Sequence, residues 1–301
     1  MSDGDDVPRW VGVAALLTIA VVFGANHVAA RLTFDHGTGV ATAVAIRSTG
    51  TALAVLALLR LARVPLRMPG ATLRRALAIG LLMSAQSYCL YSAVARIPVA
   101  LALLAFNTFP VVLALLSWAS GAERPRPGTL VAMPVALAGL AIALDVFGWV
   151  PVAESSGAAA DFWPGVAFAL GASFSFAAAL LLTTRWLGAV DGRLRTFLLM
   201  SVVAVVTLSA GALGDGFRLP ADATGWLGLG LLTMLYGTAI TSLFVVLPRL
   251  GAVNNAAILN VEPLAALAMA WLVLDQRIAP VQIAGGVVVI AAIIVLSTGR
   301  R

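Results

Sequence analysis

The chain has 301 residues, 61% of them hydrophobic and only 11% charged, with a mean hydropathy of +1.02, which excludes a water-soluble globule with a hydrated surface. Its formal charge of +6 comes from 19 arginines and no lysine; these fall between apolar stretches rather than along one stripe, which points to membrane topology and away from nucleic acid. The one cysteine, Cys89, lies inside an apolar segment, so neither an intramolecular disulfide nor a Cys-x-x-Cys metal site can form.

The start of the chain carries Asp3, Asp5 and Asp6 and no basic stretch before Arg9, so the first apolar run reads as a retained helix rather than a cleaved signal. A helix needs about 20 mostly apolar residues to cross the hydrocarbon layer. Runs of that size are predicted at 10–30, 38–59, 73–95, 99–117, 129–147, 163–184, 196–213, 226–247, 253–274 and 281–298. Short junctions at Arg96-Ile97-Pro98 and Pro248-Arg249-Leu250-Gly251 predict tight hairpins between the third and fourth and the eighth and ninth spans.

Alternate loops differ in their arginines. One set holds Arg9, Arg60, Arg63, Arg67, Arg74, Arg75, Arg124, Arg126, Arg185, Arg193, Arg195, Arg249, Arg300 and Arg301; the other holds Arg31, Arg96, Arg218 and Arg277, while Arg47 falls inside the second span. Because cytoplasmic loops carry the excess of basic residues, both termini are predicted to be cytoplasmic. Trp10, Trp118, Trp149, Trp163, Trp186, Trp226 and Trp271 all fall near predicted span ends, where amphipathic rings anchor in the headgroup layer.

An offset of 153 residues aligns Trp10 with Trp163, Phe23 with Phe176, Arg96 with Arg249, Asn107 with Asn260, Pro110 with Pro263, Trp118 with Trp271 and Pro127 with Pro280. This predicts a duplicated unit of five helices at 1–147 and 162–301, joined by an extracytoplasmic linker at 148–161 that contains no arginine. An odd helix count inverts the second copy, and inverted repeats place a solute site near the midplane between the halves. The expected fold is therefore an all-α membrane protein with ten transmembrane helices in two inverted repeats around a central cavity.

The segment from Ile97-Pro98-Val99-Ala100 through Asn107-Thr108-Phe109-Pro110 to Glu123-Arg124 resembles the fourth-helix pattern of EamA-type proteins, within the drug/metabolite transporter superfamily. Asn260-Val261-Glu262-Pro263 through Trp271 to Asp275-Gln276-Arg277 is similar to that family's closing pattern. Phe23-Gly24-Ala25-Asn26 resembles its first-helix Trp-Gly-x-Asn, with Phe in place of Trp, and Arg47 matches its second-helix arginine. The resemblance implies ten helices, a pocket lined chiefly by helices 1, 3, 4, 6, 8 and 9, no cofactor, and export of amino acids, aromatic ones included, or other metabolites across a bacterial-type inner membrane. Phe109 and Phe176 stand where such exporters can carry tryptophan, and Asn107 where tyrosine can occur, which leaves substrate preference open.

Polar groups within hydrocarbon are costly unless they face protein or water. Asn26, Asn107 and Asn260 are therefore candidates for lining a cavity or for tying helices together, the last two each three residues before a proline that exposes a carbonyl. Ser84, Ser87, Tyr88 and Tyr91 share a broad face of the third span, with Gln86 directed elsewhere, and offer hydroxyls and rings to a solute. Phe23, Phe109 and Phe176 are candidate walls, and Tyr236 a weaker one. Glu262 and Arg47, each the lone intramembrane charge of its sign, need a partner or a wet cavity and carry either a proton-handling or a salt-bridge role. His27 and His36 have no metal-ligand company and read as structural, and Gly285 and Gly286 suit a close helix contact or a dimer surface.

These features favour a secondary transporter working by alternating access on a small molecule, within membrane lipid, as monomer or homodimer. A membrane-embedded enzyme would need a catalytic constellation, and the sequence has no His-Glu-x-x-His, clustered carboxylates or Gly-rich phosphate loop. A non-transporting sensor would need an output domain.

Overall fold

The computed structural model describes residues 9–121, 127–143, 158–214, 216–250, 261–276 and 279–298, and all regular structure among them is helical. The first half contributes α1 (Arg9–Asp35), α2 (Val40–Leu61), α3 (Gly70–Arg96), α4 (Val99–Phe106), α5 (Phe109–Ala119) and α6 (Pro127–Ala143). The second contributes α7 (Ala158–Trp186), α8 (Gly192–Leu213), α9 (Ala223–Leu250), α10 (Glu262–Leu274) and α11 (Pro280–Thr298). Seven described segments are long and apolar enough to cross a membrane, with Val99–Ala119 counted as one, and Pro134–Ala143, Glu262–Leu274 and Pro280–Ala292 are shorter apolar helices. Of the expected linker, 148–157 lies outside the described residues, whereas 158–161 already forms the first turn of α7.

The hairpin expected at Arg96-Ile97-Pro98 is present, since α3 ends at Arg96 and α4 begins at Val99. Of its expected counterpart, Pro248-Arg249-Leu250-Gly251, the first three residues continue α9 to Leu250, and Gly251 lies outside the described residues, as do residues 253–260 of the ninth predicted span. The fourth predicted span, 99–117, is not continuous: Asn107 and Thr108 separate α4 from α5. Pro110 has no N–H to return to the carbonyl of Phe106, so the ladder breaks one turn earlier. Local side chains fill in: Asn107 Nδ2 donates to Leu103 O at 2.8 Å, and Thr108 Oγ1 donates to Ala105 O at 2.7 Å.

Helices of one half pack mainly on helices of the other. α3 lies along α7 and α1 along α9; α3 meets α8 as α9 meets α2; α4 and α5 meet α7 as α10 meets α1. The remaining large contacts, α2 with α8, α6 with α11 and α4 with α10, pair repeat-related helices. Exchanging the halves returns the same set, so the sequence duplication is also a duplication of packing. The outer faces stay apolar, with Leu53, Leu81, Val205, Met234 and Leu272 exposed. Trp118, Trp163, Trp186, Trp226 and Trp271 are exposed near helix ends; the Trp10 side chain and Trp149 lie outside the description.

The helix connections sort into two ends. At one, Val64, Leu66 and Met68 from the α2–α3 connection cluster with Val55, Leu59, Val190 and Leu194, and Arg185 donates to Ser120 Oγ at 2.7 Å. This end collects Arg60, Arg63, Arg67, Arg74, Arg75, Arg185, Arg193 and Arg195. At the other, Gly39 N donates to Arg218 O and Ala221 N to His36 O, both at 2.9 Å, and Arg96 lies 4.0 Å from Asp161. His36 Nδ1 also meets Asp222 Oδ2 at 2.6 Å. The Gly225 N–H, then His36, hold the exposed Asp222 carboxyl below the usual carboxylate range. Its charged form is thereby favoured on folding, so this clasp operates at neutral pH and is lost as pH falls through the lowered value.

Close approach of α6 and α11 depends on glycine. A Cβ on Gly285 would collide with the backbone N of Ala143 and stand 2.6 Å from Gly139 O, so this pair of helices meets backbone to backbone within the chain. Gly285→Ala is expected to destabilise the protein by about 1–3 kcal/mol, the scale of overpacking. Gly230, with nothing within 4 Å, is the control: Gly230→Ala should be neutral or stabilising in detergent unfolding, and equal midpoints for the two variants would refute the close crossing.

Candidate functional site

Five helices bring polar side chains into one buried layer. α1 supplies Asn26 and His27, α2 supplies Arg47 and Ser48, α3 supplies Gln86, Ser87 and Tyr91, α9 supplies Tyr236 and α10 supplies Glu262. Asn26 is fully buried, its Nδ2 donating to Tyr91 Oη at 3.0 Å. The Arg47 guanidinium, 1% exposed, donates to Ser87 Oγ at 3.1 Å and Ser48 Oγ at 3.5 Å; its Cζ lies 3.8 Å from the Tyr236 ring centroid and 4.9 Å from that of Tyr91. Ser87 in turn donates to Gln86 Oε1 at 3.3 Å. Beyond Tyr91, the His27 ring is 5.6 Å away, and His27 Nε2 meets Glu262 Oε1 at 3.3 Å. Among the described residues, the buried Arg47 Nε and His27 Nδ1 of the layer have no hydrogen-bond partner.

Several predicted site residues join this layer and others do not. Asn26, Arg47, Tyr91 and Glu262 belong to it, and Phe23 borders it, its ring 6.2 Å from that of Tyr236. Ser84 is buried but donates to Gly80 O of its own helix at 2.8 Å, so its hydroxyl is already used. Tyr88 is 42% exposed and follows Leu77 and Leu81 along the outer stripe of α3; its angular distance from Tyr91 outweighs the shared broad face. Gln86, expected to point elsewhere, is buried beside Ser87. Asn107 serves the α4–α5 break. Phe109 and Phe176 meet edge to face at 4.8 Å, and Phe106 completes an aromatic group where α4, α5 and α7 meet, beside a 3.1 Å hydrogen bond between Thr108 and Ser173. Asn260 lies outside the described residues.

His27 was read as structural, and its partner is 235 positions away, beyond the reach of any local pattern. Its adjacency to Asn26 was the available signal. Among the described residues no group of three His, Cys, Asp or Glu could hold a metal ion. The crevice between α4, α10 and α11 is apolar, lined by Leu101, Leu104, Leu264 and Ile283 among others, and holds none of the predicted site residues.

The repeat is symmetric in packing and asymmetric in chemistry. At the offset that relates Asn107 to Asn260, the polar residues Asn26, His27, Arg47, Tyr91, Tyr236 and Glu262 correspond to Ala179, Leu180, Met200, Phe244, Met83 and Phe109. One of two equivalent helix crossings is thus hydrogen-bonded and charged, and the other is apolar and aromatic.

Comparison with known proteins adds three findings. The profile described as the EamA-like transporter family matches residues 10–144 and again residues 163–298. No curated protein sequence matches the chain. A solved structure described only as the crystal structure of a protein superposes with a TM-score of 0.65 at 16% identity, over 98% of this chain and 99% of that one, which shows a shared fold.

Removing the phenol oxygen of Tyr91 would leave the buried Asn26 amide without its partner, a loss of about 1–3 kcal/mol. Tyr91→Phe should therefore lower the unfolding midpoint, whereas Ser84→Ala, which gives up only a hydroxyl returned to its own helix, should shift stability by less than about 0.5 kcal/mol. Equal shifts in detergent unfolding would show that the layer has no special energetic role.

Proposed function

The chain belongs to the EamA-like transporter family, and from that premise we propose that it is a secondary transporter exporting amino acids or similar small metabolites by alternating access. The observation that carries this reading is the charged, hydrogen-bonded layer buried between helices of both halves of an otherwise apolar protein. Intramembrane charge costs several kcal/mol per group and persists where a solute or ion path requires it. A purely structural bundle would gain by replacing it with hydrocarbon. The layer's partners lie on α1, α2 and α3 of the first half and α9 and α10 of the second, so relative movement of the halves opens or closes it.

In this reading the protein comprises two inverted five-helix repeats, residues 1–147 and 162–301, with an extracytoplasmic linker at 148–161. α4 and α5 form one broken span, and the total is ten. The central cavity forms when α9 and α10 draw away from α1, α2 and α3. The arginine-rich end, with Arg60, Arg63, Arg67, Arg74, Arg75, Arg185, Arg193 and Arg195, faces the cytoplasm, which places both termini there in a bacterial-type inner membrane. No ATP-binding loop occurs in the sequence, so a gradient of solute or proton supplies the driving force. The His27–Glu262 pair is the titratable element at the seam, and it handles the proton.

Purified protein in liposomes should carry labelled amino acids, with a rate that depends on an imposed pH gradient. Glu262→Gln should keep flux in the absence of a gradient and lose most of the pH dependence. No flux for any amino acid would defeat the transport reading, and an unchanged pH profile in Glu262→Gln would remove Glu262 from proton handling.

A further inference from the structure

We propose that Arg47 is the docking group for a carboxylate on the transported solute, so that the ligands of the buried layer are small carboxylate-bearing molecules; this rests on the transport reading above. Arg47 is 1% exposed, and no carboxylate lies within ion-pair distance of it among the described residues. Among the described residues its contacts are two serine hydroxyls and the side chains of Tyr91 and Tyr236, and its Nε has no hydrogen-bond partner.

A guanidinium carries five N–H donors, and a buried one is well held only when they are matched; two hydroxyls and two ring faces leave the Nε–H unmatched among the described residues. An anion supplies the missing compensation. Glu262 does not fill this role: its carboxylate pairs with His27, and no ion pair joins it to Arg47 among the described residues.

Geometry selects the kind of anion. A guanidinium presents its N–H groups in one plane, matched to the two oxygens of a carboxylate, and the free Nε–H leaves one edge of that plane unused. Position fits as well. Arg47 and Tyr91 belong to the first half and Tyr236 to the second, so the ring that covers the guanidinium at 3.8 Å is carried away when the halves separate. The closed arrangement thus has tyrosine rings over a cation that the open arrangement presents to solute.

Thermal unfolding of the purified full chain tests this with matched probes: acetate, benzoate and L-leucine against acetamide, benzamide and L-leucinamide, which have the same shape without the carboxylate charge. We expect at least one carboxylate to raise the unfolding midpoint of the wild type and its amide to leave it unchanged. Arg47→Gln should weaken carboxylate binding at least tenfold, about what one charge-assisted hydrogen bond contributes, while Arg47→Lys keeps part of it. Stabilisation by none of the carboxylates, equal stabilisation by the amides, or undiminished discrimination in Arg47→Gln would overturn the proposal. Should Arg47→Gln fail to fold, the wild-type pairs and Arg47→Lys decide it. Liposome flux separates this from the transport reading: carboxylate binding without flux defeats transport and leaves the anchor standing, and flux indifferent to the carboxylate does the reverse.

Discussion

Inside a hydrocarbon layer there is no water to satisfy a polar group, so each donor and acceptor has to find its partner within the protein. Much of this fold follows from that constraint. The described backbone is helical because a helix closes its own hydrogen bonds. Hydroxyls that would otherwise be stranded return to the preceding turn, as Thr51 does to Arg47 O, Ser84 to Gly80 O and Thr207 to Val203 O. Where Pro110 breaks the ladder, Asn107 and Thr108 supply side-chain donors on the spot. Arg31 performs a similar service at the C-terminus of α3, donating to Val94 O at 3.1 Å and to Ile97 O at 3.3 Å. Against this economy, the unpartnered Arg47 Nε and His27 Nδ1 stand out.

Duplication explains why the unsatisfied groups gather on one side. Two copies of the same packing plan give two equivalent crossings, one where α1 meets α9 and α10, the other where α7 meets α3, α4 and α5. At the first, Asn26, His27, Tyr236 and Glu262 build a charged network that α2 and α3 complete with Arg47 and Tyr91. At the second, Phe106, Phe109 and Phe176 fill the same relative place with rings. Glu262 and Phe109 occupy equivalent positions, each one residue before a repeated proline, so the proline is shared while the residue before it is acidic in one half and aromatic in the other.

Legibility in the sequence followed the range of the interaction. Hydropathy runs placed the helices, and Arg96-Ile97-Pro98 placed a hairpin, because both are set by adjacent residues. The self-alignment exposed the repeat, since Trp118 and Trp271 or Pro110 and Pro263 are rare enough residues to register. Asn107 was recognised as special, yet the break it caps was not, because the hydropathy of 99–117 stays high straight through it. Tyr88 lies on the exposed Leu77–Leu81 stripe of α3, a position that a face as broad as the one from Ser84 to Tyr91 does not resolve in the sequence. The partners of Glu262 and Arg47 were not legible at all: His27 and Tyr236 lie on helices far away in sequence, and only the interlocked packing of the halves joins them.

That interlocking bears on how such a molecule can move. The α6–α11 crossing is held by backbone contact at Gly139 and Gly285, which leaves no room for sliding and favours a fixed pair. The seam that carries the polar layer is close-packed as well: a Cβ on Gly24 of α1 would stand 2.9 Å from Ala266 N of α10, and one on Gly228 of α9 would stand 3.0 Å from Thr33 N of α1. Between the halves also run the approach of Arg47 to Tyr236 and the His27–Glu262 contact, while the Asn26–Tyr91 hydrogen bond stays within the first half. The transport cycle proposed above therefore has to loosen backbone-close crossings along with these polar contacts, and a solute favours the open arrangement only by the difference in its affinity for the two.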